Sequence, residues 1–363
     1  MKFIHCADIH LDSPMTTHMS PDEASKRRSE IEGTFERMTT YAKEEGVRAV
    51  VIAGDLFDGS HIQHSTIDAV LTAVKRTPEV DYLYLAGNHD NVNILSSIKE
   101  LPENLKMFDK KWSTYIYENV AISGVEICKE NADSIYDDVP HKEGCVNIVV
   151  LHGQIGTTVC DDEHININLL KNKGIDYLAL GHIHSYQCEK LDDVGEYCYS
   201  GCLEGRGFDE CGEKGFVLIT SVAEKIKHEF IPFCSRQLHK IEIDVTALTS
   251  NSEVIEKIEK ESEEIQNKAM VEFVLTGESN PADSFDISTE YLLNKINDRK
   301  RFGFVKIKNE TQMGINYEDY KNDISLKGEF IRLVLESEDI NETEKNDVIR
   351  FGLQALFEGE IRR

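Results

Sequence analysis

No stretch of this sequence approaches the roughly 20 consecutive apolar residues that a membrane-spanning helix needs. Its first ten residues, MKFIHCADIH, carry Asp8 and His10 where a signal peptide would be apolar. The expectation is a cytoplasmic chain with no membrane partner. Paired cysteines are also missing. Nine cysteines are present, none in a CxxC pair, and Cys198 and Cys202, the nearest spacing to a metal hairpin, have no matching second pair. A zinc ribbon is thereby excluded, and a disulfide scaffold fits less well than a reduced compartment. There is no GxxxxGK[ST], and the glycines do not form GxGxxG after a strand, so neither nucleotide-binding loop is encoded. Basic charge is scarce, with 40 Lys and Arg against 66 Asp and Glu and a net charge of −26. Gripping nucleic acid over a whole surface draws on Lys and Arg. Bound cations can still supply positive charge at a local site.

What is present suits a globular protein of more than one domain: 363 residues, 40% hydrophobic and 29% charged. In the first two-thirds, short apolar runs alternate with helical spacing. KFIHCAD predicts a strand, residues 28–46 a helix, VRAVVIAGD a strand, STIDAVLTAVKRT a helix and DYLYLAGNHD a strand. Further strands are expected in CVNIVVLHG, IDYLALGHIH, EYCYSG and GFVLIT, with a hairpin or meander in WSTYIYENVAISGVEI. This alternation predicts an α/β fold with a parallel or mixed sheet.

Polar residues collect where these strands end. Asp8 and His10 follow the first, Asp55 the second, Asn88 and His89 the third, then His152, and finally His182 and His184. Turn chemistry alone accounts for any one of them. It accounts poorly for so many at successive carboxyl ends, the usual ligand crevice of an α/β sheet. Asp, Asn and neutral His are donors suited to Mn, Fe or Zn, and an Asp can bridge two ions. Two ions about 3.5–4 Å apart clamp phosphate oxygens and activate water.

The blocks DIH, GDLFD, GNHD, LHG and GHIH, in that order over residues 8–184, resemble the calcineurin-like metallophosphoesterase superfamily. YSGCLEGRGFDECGEKGFVLI is similar to the corresponding segment of SbcD-like DNA repair exonucleases, and ADIHLDSP to their YhaO-like branch. The resemblance implies a four-layer fold, two central mixed sheets flanked by helices, with a smaller α+β capping domain. It implies two divalent ions, manganese first, with iron or zinc as alternatives. Asp8, His10 and His184 would hold one, Asn88, His152 and His182 the other, with Asp55 bridging. It makes His89 the general acid near the scissile phosphate and Asp90 the support that orients it. Arg206, in LEGRGF, is expected either to help hold phosphate or to anchor its loop. Asp58 stands where archaeal and eukaryotic relatives carry a histidine, so that histidine's role does not transfer. His61 and His64 are read as surface-loop residues.

Three segments are expected: a nuclease domain over 1–235, the capping domain over 236–315, and an extension over 316–363. In the second, strands at residues 235–248, 269–279 and 302–310 enclose two helices, and Glu272 replaces a basic residue common in the resembled family. In the third, Val348, Ile349, Leu353 and Leu356 line one face of a helix that either packs on its own domain or docks a partner. The resemblance implies DNA as a partner, an SMC-type ATPase of the SbcC kind, and admits a homodimer. The leading expectation is a two-metal exonuclease acting on DNA ends in repair. The acidic charge favours the alternative, hydrolysis of small phosphodiesters or nucleotides. A non-enzymatic assembly module would be expected to have lost ligands, and none of the seven is missing.

Overall fold

The computed structural model describes residues 1–358 apart from 16–18, 60–61, 91–94, 96–97, 99, 159–160, 162, 223–224, 247, 280–286, 314–322 and 338. His61 therefore lies outside the described residues, and His64 opens a helix on the surface. Contacts divide the chain into two units, Met1–Leu238 and His239–Arg363.

The first unit begins with β1 (Lys2–Cys6), α1 (Pro21–Glu44), β2 (Val47–Ala53), α2 (His64–Lys75), β3 (Asp81–Leu85) and β4 (Leu105–Met107). An antiparallel hairpin of β5 (Ser113–Tyr117) and β6 (Val120–Gly124) follows. Then come β7 (Val146–His152), two short strands β8 (Gln154–Gly156) and β9 (His164–Asn166), β10 (Tyr177–Gly181), β11 (Gln187–Lys190) and β12 (Glu196–Tyr199). The unit closes with β13 (Gly215–Val222) and β14 (Lys225–Pro232). One mixed sheet has the order β14-β13-β1-β2-β3-β4 and the other β11-β12-β10-β7-β6-β5.

The sheets pack face to face on a core that includes Phe3, Val51 and Leu83 from the first and Ile122, Ile148, Val150 and Tyr177 from the second. Strands covered on both faces need unbroken apolar runs, and every residue of β7 and β10 is buried. Helices α1 and α2 cover the outside of the first sheet through Ile31, Phe35, Met38, Val70 and Val74. The outside of the second is covered by Ile135, Tyr136, Ile167 and Leu170, in turns and a 3₁₀ turn, and by Ile165 of the short strand β9. The fold is the expected α/β arrangement of two mixed sheets with helices.

Helix α1 starts earlier than its apolar spacing suggests. Ser20 accepts the Glu23 N–H, the Glu23 carboxylate reaches back to the Ser20 backbone, and Pro21 occupies the first turn. This capping box lies upstream of the first apolar residues. The helix also carries buried Arg27, whose guanidinium pairs with buried Glu204 and donates to the Gly205 carbonyl at 2.8 Å. Removing either partner would strand a buried charge, at about 3–5 kcal/mol. The pair fixes the loop that leads to Arg206.

In the second unit, β15 (Leu238–Asp244), β16 (Met270–Thr276) and β18 (Phe304–Asn309) form a sheet in that order. Helices α3 (Asn251–Glu261) and α4 (Thr289–Asp298) cover it through Val254, Ile258, Leu292 and Ile296. A two-residue strand β17 (Glu278–Ser279) pairs with β19 (Gln312–Met313). Glu272 is internal to this unit: it is buried and ion-paired to Lys306, its register partner across the sheet, at 2.6 Å. Helices α5 (Leu326–Glu336) and α6 (Glu342–Glu358) close the chain. Ile349 and Leu353 are fully buried against Ile331 and Val334, whereas Val348 is partly exposed. The Leu356 side chain is outside those described.

Candidate metal centre

The carboxyl ends of β1, β2 and β3 in one sheet and β7 and β10 in the other converge. Three backbone bonds zip the first two loops together: Asp8 N–H to Gly54, His10 N–H to Asp55 and Leu11 N–H to Leu56. Across the sheets, His152 Nδ1 lies 2.9 Å from the Ala53 carbonyl. Asp8, His10, Asp55 and His182 all have φ between +48° and +102°. Non-glycine residues seldom adopt that region, which costs on the order of 1–3 kcal/mol each and persists where the surroundings enforce it.

All seven expected ligands lie in one continuous network. Ligand atoms of Asp8, His10 and His184 form one group within 4.8 Å of one another, and those of Asp8, Asp55 and His152 form a second. Asp55 Oδ2 stands 3.7 Å from His10 Nε2 and 3.4 Å from His152 Nε2. Asn88 Oδ1 is 2.9 Å from His152 Nε2 and 3.4 Å from His182 Nδ1. The Asp8 carboxylate accepts the His182 backbone N–H at 2.9 and 3.0 Å.

The donor chemistry fits cations. With Nδ1 at the Ala53 carbonyl, His152 turns Nε2 toward the Asn88 and Asp55 oxygens. His10 Nε2 and His184 Nε2 meet at 3.3 Å, and buried His10 Nδ1 has no hydrogen-bond partner. Lone pairs facing one another are stabilised by a positive charge between them. Burial disfavours a charged His152, yet Asp55 outweighs it and pushes the imidazole up to about 9, so the site attracts a proton or a metal. Burial lowers His10 and His182 from the ordinary histidine value.

The expectation for Asp90 is overturned. Its carboxylate accepts backbone N–H groups from Phe57 at 2.8 Å, Gly87 at 3.0 Å and Leu56 at 3.2 Å. It staples the second and third loops, and burial pushes its carboxyl up to about 6. The carboxylate beside the His89 ring is Asp58, with Oδ1 3.0 Å from Nδ1. This hydrogen bond raises the His89 pKa. The ring is half-exposed and packs edge-on to His10 at 4.9 Å between centroids, and its backbone N–H donates to Asp55 at 2.8 Å.

Arg206 reaches the same cluster. Its guanidinium pairs with Glu210 at 2.8 Å and with Asp58 at 3.3 Å. Glu210 is the residue sequence reading missed. Its Oε1 accepts from His184 Nδ1 at 2.6 Å, which leaves His184 Nε2 free to ligate. An acid four residues after Arg206 in GRGFDE was the only available sign.

Two glycines make room for this packing. A Cβ on Gly54, at φ +93°, would sit 2.0 Å from His152 Nδ1, and one on Gly87 would sit 2.2 Å from Asp55 Oδ1. Gly54→Ala is expected to displace His152 and lower stability by about 1–3 kcal/mol, the usual scale for overpacking. Gly33→Ala, whose added Cβ meets nothing within 4 Å, serves as the control in urea unfolding. Equal midpoints for the two variants would contradict the close approach.

Two mixed sheets with carboxylates and imidazoles massed at their carboxyl ends define a metal-dependent phosphoester hydrolase. Residues 1–186 match the calcineurin-like phosphoesterase family, and the chain belongs to it, which makes it a metal-dependent phosphodiester hydrolase. The chain is 25% identical over 295 residues to the metallophosphoesterase YhaO of Bacillus subtilis, covering 76% of this chain and 72% of that protein. It is 26% identical over 277 residues to the DNA double-strand break repair protein Mre11 of Methanopyrus kandleri, covering 67% and 59%. A component of the nuclease SbcCD of Bacillus subtilis is 30% identical over 104 residues, covering 28% and 25%. Among the described residues no helix is long and apolar enough to cross a membrane.

Proposed function

We propose that this chain is a two-metal, manganese-dependent exonuclease acting on DNA ends. The observation that carries the metal assignment is the position of Asp55 Oδ2, within 3.7 Å of an imidazole nitrogen from each ligand group. Asp8, His10 and His184 would hold one ion, Asn88, His152 and His182 would hold the other, and Asp55 would be shared between them. Asp8 also adjoins both groups. When bound, the pair of ions supplies Lewis-acid stabilisation of phosphate oxygens and lowers the pKa of water. The protein's own part is orientation and proton delivery. Ala53 and Glu210 set the tautomers of His152 and His184. Asp58 aims His89, which gives its proton to the departing oxygen. Arg206 balances Asp58 and Glu210, its loop-anchoring role, and from the same place it would help to hold phosphate.

The family relatives named for DNA repair support DNA as substrate. The relative named as part of SbcCD supports an SMC-type ATPase partner. Leu326 and Leu333 of α5 and Val348 of α6 expose apolar surface for such a contact. The net charge of −26 favours the second reading, small phosphodiesters.

The test is parallel turnover of end-labelled linear DNA and a small diester with manganese, across salt, with and without the ATPase. The expected result is metal-dependent shortening of DNA, weak binding by the chain alone, and tighter engagement with the partner. Few surface cations are available for counterion release. Tight binding with a steep salt slope in the isolated chain would overturn the weak-binding expectation. Turnover of small diesters alone, even with the partner, would establish the second reading. Separately, Glu210→Gln is expected to weaken manganese binding by about 10–100-fold, the scale on which partners of metal ligands act. Unchanged affinity in a metal titration would remove Glu210 from the site.

A further inference from the structure

A second group of ligand-type side chains lies in the first unit and takes no part in the phosphoesterase chemistry. Cys188 on β11, Glu196 on β12 and His228 on β14 place a sulfur, a carboxylate oxygen and a ring nitrogen within 4.8 Å of one another. Each is partly exposed, so the group is reachable from solvent. His228 Nδ1 and Glu196 Oε1 are 2.6 Å apart.

The placement is what gives the group meaning. β11 is the last strand of one sheet and β14 the last strand of the other. The three side chains therefore meet across the open edge of the sandwich. Tyr186, just before β11, stacks on Phe230 of β14 with ring centroids 4.7 Å apart, so the same edge is already drawn together by apolar contact. Cys198 is the register partner of Cys188 and is buried behind it.

We propose that Cys188, Glu196 and His228 bind a thiophilic divalent cation of the zinc type, which clamps β11 and β12 to β14. One thiolate, one imidazole and one carboxylate are the donors such an ion accepts, and tetrahedral bonds of about 2.0–2.3 Å put ligand atoms within the spacing seen here after small rotamer changes. The ion takes the place of the proton that His228 and Glu196 share. Because all three residues are partly exposed, a water would complete the coordination. The donors come from rigid neighbouring strands, so little chain entropy is lost in assembling them. Hard ions such as magnesium lack affinity for the thiolate and would leave the site to softer competitors.

Cobalt separates this site from the phosphoesterase centre, whose seven proposed ligands include no thiol. The full-length protein, freed of metal and titrated with cobalt until all sites are filled, is expected to develop the near-ultraviolet absorption of thiolate-to-cobalt charge transfer with the intensity of one thiolate-bound cobalt per chain. Asp55→Ala should retain that band. Cys188→Ser should abolish it while keeping turnover of a small diester, which shows that the variant is folded. His228→Ala should weaken cobalt binding at this site by at least about 10–100-fold. Zinc should raise the melting temperature of Asp55→Ala and leave that of Asp55→Ala/Cys188→Ser unchanged. Absence of the band in the native protein, or its persistence in Cys188→Ser, would overturn the proposal. Loss in Cys188→Ser with full retention in His228→Ala would reduce the site to adventitious thiol binding and overturn it equally.

Discussion

Asp55→Ala is expected to strip both ions from the phosphoesterase centre and to lower turnover on a phosphodiester by at least about a thousandfold. The figure is the scale reached when one preorganised electrostatic group is removed from an active site, about 4 kcal/mol of barrier. The reason for so large an effect is position. Asp55 Oδ2 approaches His10 and His152 from a single buried carboxylate, while Oδ1 accepts the His89 N–H at 2.8 Å. Losing it removes charge shared by both ligand groups and frees the loop that carries His89. Asp55→Asn keeps the shape and one acceptor oxygen, so its defect should lie in metal content before fold. Elemental analysis of dialysed protein, alongside turnover, checks both variants. Full occupancy and full rate in Asp55→Ala would refute the bridging assignment.

The second large effect is expected at His89. His89→Ala should lower turnover by about 10²–10⁴-fold, the usual contribution of a positioned acid, and leave the metal content nearly unchanged. The ring is half-exposed, is held by Asp58 at 3.0 Å and only packs against His10. Asp58→Asn should give a smaller loss of the same kind. Asp90→Asn should instead weaken folding, because Asp90 collects three backbone N–H groups and bonds the Tyr84 side chain. Loss of both metals in His89→Ala, or unaltered turnover, would undo this division between binding and proton transfer.

The contrast between Asp58 and Asp90 marks how far the sequence could be read. Strands were legible because they are buried on both faces, so VNIVVLH and YLALG needed only their apolar runs. The polar residues that gather at the candidate centre were legible because each lies at or just beyond the end of such a run. Side-chain direction inside a turn was not. Adjacency in GNHD makes Asp90 look like the support of His89, yet neighbouring residues of a turn point apart. The carboxylate that does meet the ring comes from 31 residues away. Glu210 was hidden for the same reason: its value depends on where His184 Nδ1 points, and periodicity carries no such information. Strands β11 and β14 escaped notice because their exposed, charged positions dilute the apolar pattern. At the C-terminus, Ile349 and Leu353 were correctly placed on an apolar face, and that face is occupied by α5 of the same chain.

His10 and His184 meet although they stand 174 positions apart in the chain, and the candidate metal donors are divided between the two sheets. A polypeptide emerging in order from its N-terminus thus presents Asp8, His10, Asp55 and Asn88 long before the three later histidines exist. Contacts of such long range form only after much of the chain has collapsed. The cluster at the strand ends therefore cannot be completed until the second sheet has formed, so any activity that depends on it arises late in the order of the strands.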